Sequence, residues 1–193
     1  MTKPDPMLPP PLPEEEVEAL ARRIDQPLVL IGMMGVGKST IGRKLASMLH
    51  LPFSDADEAI EEAAQMSVSE IFEKFGEDYF RDGERRVITR LVDDRPSVIA
   101  TGGGAFSNRE TRELILDKAI AIWLDCDTQT LVERVGRKDT RPLLRDGDPH
   151  EIISRLKRER EPFYAQAPIH IMSEAGPHQQ AVQRILKAVD QWL

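Results

Sequence analysis

The sequence is poor in cysteine, because Cys126 is the only one among its 193 residues. A lone cysteine cannot form a disulfide within the chain, so the fold must be held together by its own core. A single domain of this size can bury such a core. Cys126 follows a strand-like run from Ala119 to Leu124, and we expect its thiol to be buried and structural.

Long apolar runs and an excess of positive charge are also missing. No run approaches the roughly 20 apolar residues that cross a bilayer. The first residues, MTKPDPMLPPPLPEEE, have neither the basic nor the apolar region of a signal peptide. A net charge of -7 argues against nonspecific binding of nucleic acid. We therefore expect a cytoplasmic protein without a membrane or nucleic-acid partner, and a monomer by default.

Proline is concentrated at the N-terminus, where residues 1–13 hold six of the fourteen prolines. This density favours polyproline II or disorder over a packed element. Residues 14–24 could form a short helix, with acidic residues at its start and arginines near its end. We therefore divide the chain into an N-terminal extension over residues 1–26 and a single domain over residues 27–193.

From Pro27 onward, short apolar runs alternate with longer amphipathic ones. The strand-like runs are LVLIG, PFSD, SVIAT, AIAIWLD and IHIM, and helical patterns lie between them. Strands that alternate with helices indicate crossover units and a parallel sheet covered on both faces. The expected fold class is α/β, a three-layer α/β/α sandwich with a central parallel sheet.

Two features refine this pattern. Ser67 and Glu70 have the spacing of a capping box, which predicts that a new helix begins after Met66. Residues 136–149 contain seven charged residues and little apolar periodicity. A loop of this length is often functional, and we interpret it as a lid.

The strongest motif is the run Gly32 to Ser39, GMMGVGKS, which fits the pattern G-x-x-x-x-G-K-[ST] between a strand and a helix. In such a P-loop, inward-pointing backbone N–H groups and the helix N-terminus hold a polyphosphate. We expect Lys38 to reach the β- and γ-phosphates and Ser39 to coordinate Mg²⁺. The segment that would hold the nucleotide consists of Gly35, Val36, Gly37, Lys38, Ser39 and Thr40.

Two aspartates follow at the next strand. Asp55 and Asp57 lie two residues apart at the end of PFSD, and alternate residues of a strand point the same way. Both carboxylates could therefore face the P-loop, one for Mg²⁺ and one for a substrate hydroxyl. The alternative is a pair of caps for the following helix. Because SVIAT lacks the aspartate that often binds metal in P-loop proteins, Asp55 is the better metal candidate.

Further candidates are glycines and arginines. Gly102, Gly103 and Gly104 follow a strand and would let a ligand approach the backbone, although a plain turn would look the same. Arg81, Arg141 and Arg160 carry planar guanidinium groups that can bind a carboxylate or phosphate oxygens. Each of them alone could equally be a solvated surface residue.

Together these segments resemble the shikimate kinase family from Leu28 to the C-terminus. The resemblance is carried, in order, by LIGMMGVGKSTIGRKLA, FSDADEAIE, SVSEIFEKFGEDYFRDGE, ATGGGA, RPLL and REREPFY. It implies a P-loop NTPase fold of the nucleoside monophosphate kinase-like type with a lid. It also implies transfer of the γ-phosphate of ATP to shikimate, with one Mg²⁺ ion bound with ATP. The proline-rich extension has no counterpart in the family pattern.

The resemblance also implies residue roles. Asp57 would bind ring hydroxyls and accept a proton, and the shikimate segment would span about residues 55–92. Arg81 and Arg160 would bind the shikimate carboxylate, with backbone contacts from Gly103 and Gly104. Arg141 would be the lid arginine acting on the transferred phosphate, and Arg134 would stack on adenine. Glu84 would hold Arg81 in place. The alternatives are a gluconate kinase and a non-catalytic ATP-binding regulator.

Overall fold

The computed structural model describes residues 11–135, 147–173 and 178–193. Its helices are α1 (Glu14–Arg23), α2 (Lys38–Leu49), α3 (Ala56–Ala64), α4 (Val68–Asp94), α5 (Arg109–Lys118), α6 (Thr128–Val135), α7 (Pro149–Tyr164) and α8 (His178–Trp192). Its strands are β1 (Leu28–Ile31), β2 (Phe53–Asp55), β3 (Val98–Ala100), β4 (Ile120–Asp125) and β5 (Ile169–Met172). A 3-10 turn covers Ala105–Ser107.

The five strands form one parallel sheet in the order β2-β3-β1-β4-β5. Every residue of β1, β3 and β4 is buried, as expected for strands that are covered on both faces. Helices flank the sheet, with α2 packed against α1 and α8, and α4 packed against α5. The predicted three-layer α/β/α sandwich is confirmed.

The helix assigned to the N-terminal extension packs into the main core. Val17 and Leu20 of α1 belong to the same buried cluster as the strands. Arg23 also forms an ion pair with Asp190 of α8, with Nη1 and Oδ1 2.5 Å apart. Helix α1 is therefore part of the same folded unit as the sheet.

The predicted capping box is present at the start of α4. Ser67 accepts from the Glu70 N–H, and the Glu70 carboxylate accepts from the Ser67 N–H at 2.8 Å. Helix α4 is then broken once, at Gly76, whose φ of 82° and ψ of 176° suit glycine alone. The break sets the direction of the second half of α4, which carries Arg81 and Glu84.

Two local predictions need correction. Strand β2 ends at Asp55, and Asp57 lies in the first turn of α3, so the argument from strand alternation is wrong. The Asp55 side chain caps α3 and thereby ends the strand before Asp57. Pro149, assigned to the lid loop, is the first residue of α7. The predicted lid otherwise falls almost entirely outside the described residues.

Within the described ranges, none of the helices combines the length and apolar character that a membrane span requires.

Candidate active site

The P-loop, residues 32–39, joins the end of β1 to the start of α2. Its three glycines all have positive φ, and the last of them, Gly37, is the N-cap of α2. The Lys38 side chain is only 8% exposed, and its Nζ donates to the carbonyls of Gly32 (2.8 Å) and Met33 (2.9 Å). The lysine therefore curls back over the loop, at the N-terminus of α2.

A cavity of about 210 Å³, here called the P-loop cavity, opens beside this loop. Most of its lining residues are polar or glycine: Gly35, Gly37, Lys38, Ser39, Thr40, Asp55, Asp57, Thr101, Gly102, Gly103, Arg134, Val135 and His178. Val36 is fully buried behind the loop, and its carbonyl accepts from Arg134 Nη1 at 3.4 Å. The cavity thus combines a helix N-terminus with cationic side chains, the features that bind phosphates.

Ser39 and Asp55 meet at the wall of this cavity. Ser39 Oγ donates to Asp55 Oδ2 at 2.5 Å, while Asp55 Oδ1 accepts from the Asp57 N–H at 3.0 Å. A hydroxyl and a carboxylate are the hard oxygen ligands that Mg²⁺ uses beside nucleotide phosphates. Among the described residues no group of three or more histidine, cysteine, aspartate or glutamate side chains could hold a metal. A cation at Ser39 and Asp55 would therefore need phosphate and water oxygens as further ligands.

A second cavity of about 520 Å³, here called the arginine cavity, adjoins the first. It is lined by Met34, Asp57, Glu61, Ser67, Val68, Ser69, Phe72, Phe80, Arg81, Glu84, Gly102, Gly103, Gly104 and Arg160. Asp57, Gly102 and Gly103 line both cavities. A molecule in the arginine cavity would therefore meet a phosphate group in the P-loop cavity next to Asp57.

Arg81 is held by two glutamates of its own helix. Its Nη1 lies 2.8 Å from Glu84 Oε2, and its Nη2 lies 2.9 Å from Glu77 Oε1. Burial opposes the charge of Arg81, but Glu84 and Glu77 outweigh it and raise the guanidinium pKa. Burial also raises the pKa of the Glu84 carboxyl, and Arg81 offsets part of that rise. The predicted contact between Glu84 and Arg81 is present.

Arg160 differs from Arg81 because no carboxylate neutralises it directly. It is 8% exposed, and within the described parts of the chain no carboxylate lies within ion-pair distance of it. Its Nη1 is buried without a hydrogen-bond partner among those residues. The charge of Glu84 acts on Arg160 without a direct ion pair. A buried guanidinium without a directly bonded carboxylate is costly, so this position favours an anionic ligand in the arginine cavity.

The glycine triplet explains how these charged side chains come so close to the backbone. A Cβ at Gly102 would lie 2.5 Å from Glu84 Oε1 and 2.9 Å from Asp57 Oδ1. A Cβ at Gly104 would lie 2.5 Å from Arg81 Nη2. The triplet is therefore more than a turn: it makes room for the carboxylates and the guanidinium that line the cavity.

The chain also matches known proteins. The model of the family described as shikimate kinase matches residues 34–190. The chain belongs to the shikimate kinase family. A shikimate kinase of Novosphingobium aromaticivorans is 63% identical over 187 residues, which cover 94% of this chain and 96% of that protein. A shikimate kinase of Caulobacter vibrioides is 54% identical over 164 residues, with 85% and 82% coverage.

Solved structures agree with this membership in the shikimate kinase family. A shikimate kinase from Acinetobacter baumannii, in complex with shikimate, has a TM-score of 0.85 and 33% identity, and the match covers 93% of this chain and 98% of that one. A gluconokinase from Sinorhizobium meliloti has a TM-score of 0.61 at 16% identity, with 88% and 94% coverage. That second likeness shows a shared fold alone.

The structure brings most of the predicted residues of this shikimate kinase family member together around the two cavities. Arg141, the predicted lid arginine, lies outside the described residues.

Cys126 is buried as predicted, and burial raises the pKa of its thiol. Sequence reasoning missed Tyr164, which lies one helical turn after Arg160, although that spacing in REREPFY was a usable signal. It also missed His178, which no pattern connects to the P-loop.

Proposed function

We propose that this chain transfers the γ-phosphate of ATP to the 3-hydroxyl of shikimate. The products are shikimate 3-phosphate and ADP, on the route to chorismate and the aromatic amino acids. The observation that carries the proposal is the meeting of the P-loop cavity and the arginine cavity at Asp57. The close relatives named shikimate kinase support the choice of acceptor.

ATP would occupy the P-loop cavity. The backbone N–H groups from Gly35 to Thr40 would hold its phosphates, with Lys38 at the β- and γ-phosphates. Lys38 would exchange its bonds to the Gly32 and Met33 carbonyls for bonds to phosphate oxygens. Arg134, which reaches the Val36 carbonyl from α6, would stack on adenine.

Shikimate would occupy the arginine cavity. Its carboxylate would bind Arg160, the buried guanidinium without a carboxylate partner, and Arg81, whose position Glu84 and Glu77 fix. Gly103 and Gly104 would add backbone contacts, and Asp57 would hold the ring hydroxyls next to the P-loop cavity. The acceptor would then be fixed at both ends.

Mg²⁺ would bind at Ser39 and Asp55, whose oxygens lie 2.5 Å apart, together with phosphate oxygens. When bound, the ion supplies positive charge to the phosphate oxygens. One ion would bind with each ATP.

The transfer would be direct and in line. The shikimate oxygen forms a bond to the γ-phosphorus while the bond between that phosphorus and the β–γ bridging oxygen breaks. The hydroxyl proton passes to Asp57, and ADP leaves. In a loose transition state positioning and electrostatics outweigh base strength. Lys38 would stabilise charge on the phosphate oxygens, and Arg141 would do the same from the lid.

We further propose a cytoplasmic monomer that binds neither nucleic acid nor membranes. The net charge of -7 supports the lack of nucleic-acid binding. The lid would extend over about residues 136–149, and the proline-rich segment before the folded unit would be dispensable for the reaction.

A coupled ADP-release assay tests this function. The full chain is supplied with Mg²⁺ and ATP, and with shikimate, gluconate, a nucleoside monophosphate or no acceptor. We expect turnover with shikimate alone. Turnover with gluconate but not shikimate would replace the substrate by that of a gluconate kinase. ATP binding without turnover on any acceptor would indicate a non-catalytic regulator.

A further inference from the structure

Tyr164 lies at the end of α7, behind the arginine cavity, and none of the roles above uses it. Its side chain is 1% exposed, and its ring packs 5.9 Å from the Trp123 ring, centroid to centroid. A buried tyrosine hydroxyl needs hydrogen-bond partners, so the partners of this one identify what it holds.

The hydroxyl connects three parts of the site. It donates to the Gly103 carbonyl, and the positive charge of Arg160, one turn earlier on α7, acts on it. Met33 Sδ of the P-loop lies 3.8 Å from the same oxygen. Burial raises the pKa of Tyr164 to about 12, which Arg160 partly opposes, so the hydroxyl keeps the proton that it donates.

Tyr164 supplies the hydrogen bond that the Gly103 carbonyl of the glycine triplet accepts. The carbonyls of Gly102 and Gly104 accept from the N–H groups of Ala105 (3.3 Å) and Ser107 (3.0 Å) in the following turn. The Gly103 carbonyl lies between them and is held by Tyr164 instead. Glycine backbone is intrinsically free to rotate, so this side chain fixes a peptide that its neighbours do not.

Fixing the Gly103 carbonyl also fixes the N–H of Gly104. The two groups belong to one planar trans peptide and point in opposite directions. With the carbonyl held towards α7, the Gly104 N–H points away from α7, and Gly104 lines the arginine cavity. Arg160, whose charge acts on the same hydroxyl, also lines that cavity.

We propose that Tyr164 is a positioning residue for the acceptor, whose hydroxyl holds the Gly103–Gly104 peptide in the orientation that binds shikimate. The inference rests on the proposed function, because it assigns shikimate to the arginine cavity. It places Tyr164 directly behind the residues that touch the acceptor.

The test removes the hydroxyl oxygen of Tyr164. Tyr164→Phe removes the hydroxyl and keeps the ring, and Tyr79→Phe removes the same atom from an exposed tyrosine of α4 as the matched control. We expect Tyr164→Phe to raise the KM for shikimate about tenfold and to leave the KM for ATP within about twofold. Tyr79→Phe should change neither. A KM for shikimate within about twofold of wild type would overturn the proposal, as would equal increases in both KM values.

A second measurement does not depend on the variant folding. These are the chain's two tyrosines, so incorporation of 3-fluorotyrosine gives two fluorine resonances, which Tyr79→Phe assigns. Saturating shikimate should shift the Tyr164 resonance and leave that of Tyr79 in place. An unchanged Tyr164 resonance would overturn the proposal. A wild-type chain without shikimate-dependent ADP release would instead contradict the proposed function, and the inference with it.

Discussion

The P-loop and the arginine pair are built from the chain in different ways. The P-loop is one run of eight residues, and its shape comes from its own glycines and from the start of α2. Arg81 and Arg160 come from α4 and α7, and they meet only because the sheet brings those helices to the same edge. A phosphate site can therefore be local in sequence, whereas a carboxylate site assembled from side chains depends on the whole fold.

The two regions also neutralise charge differently. In the P-loop, Lys38 Nζ donates to two backbone carbonyls, and phosphate oxygens can replace these two bonds. In the arginine cavity, Arg81 forms an ion pair with Glu84, whereas Arg160 has no carboxylate within ion-pair distance among the described residues. This asymmetry predicts that Arg160 supplies the positive charge that attracts the acceptor carboxylate, whereas Arg81 fixes the orientation of that carboxylate.

The largest expected effect separates the chemistry of the P-loop from acceptor binding. Lys38→Met should lower kcat by about 10²- to 10³-fold, because it removes a preorganised donor from the transferred phosphate. The KM for shikimate should stay within about threefold, since Lys38 lines only the P-loop cavity. Steady-state kinetics measure both, with Lys44→Met on the exposed face of α2 as control. A loss of kcat below tenfold would contradict the assignment.

The next largest expected effect is on acceptor binding in the arginine cavity. Arg160→Lys should raise the KM for shikimate by about 10- to 100-fold, because a point charge cannot reproduce the planar grip on a carboxylate. The KM for ATP should stay within about twofold. Arg158→Lys, an exposed position on the same helix, is the matched control. Equal increases in both KM values would contradict the assignment of Arg160 to shikimate binding alone.

A smaller effect tests whether the triplet makes room for Arg81. Gly104 has helical φ and ψ, so alanine fits its backbone, but the new Cβ would displace the Arg81 guanidinium. Gly104→Ala should raise the KM for shikimate about fivefold with little change in Tm, because the end of a flexible side chain moves more easily than backbone. Gly83→Ala, where nothing lies within 4 Å, should leave the KM unchanged and raise Tm slightly. An unchanged KM for shikimate in Gly104→Ala would contradict the close approach of the Arg81 guanidinium to Gly104.

The smallest effect concerns His178, which borders the P-loop cavity. Burial, together with the charges of Arg134 and Lys44, lowers the pKa of His178 below its ordinary value of 6.5. The unfolded chain then binds a proton more readily than the folded one, so the stability from this group is present above pH 6.5 and is lost as pH falls.

Urea unfolding of wild type and His178→Gln measures this loss. The difference in unfolding free energy, wild type minus variant, should decrease between pH 7.5 and pH 5.5. His150→Gln, at an exposed histidine of α7, is the control. A difference that grows as the pH falls would have the wrong sign for a lowered pKa.

The same contrast, between features local in sequence and features assembled by the fold, separates what the sequence could predict from what it could not. The sheet, most of the helices and the P-loop follow from local patterns, since periodicity and glycine spacing act within a few residues. Asp57 faces the P-loop cavity as predicted, but the argument from strand alternation was wrong, because β2 ends at Asp55 and Asp57 lies in the first turn of α3. Local strand alternation cannot account for a competing cap.

The remaining features depend on contacts distant in sequence. The bond between Tyr164 and Gly103 spans 61 residues, and no local pattern connects the two. The same holds for His178, which reaches Gly37 from the far end of the chain. The resemblance to a family supplied the roles of Arg81 and Arg160, which composition and spacing alone could not separate from those of surface arginines.

The most direct test of the account is a calorimetric titration of the full chain with shikimate and with its neutral carboxamide. The two ligands share the ring and the hydroxyls and differ in the charge that Arg160 and Arg81 are proposed to bind. We expect shikimate to bind one to one and the carboxamide to bind at least about a hundredfold more weakly. Equal affinities would contradict the claim that the arginine cavity is built around a carboxylate.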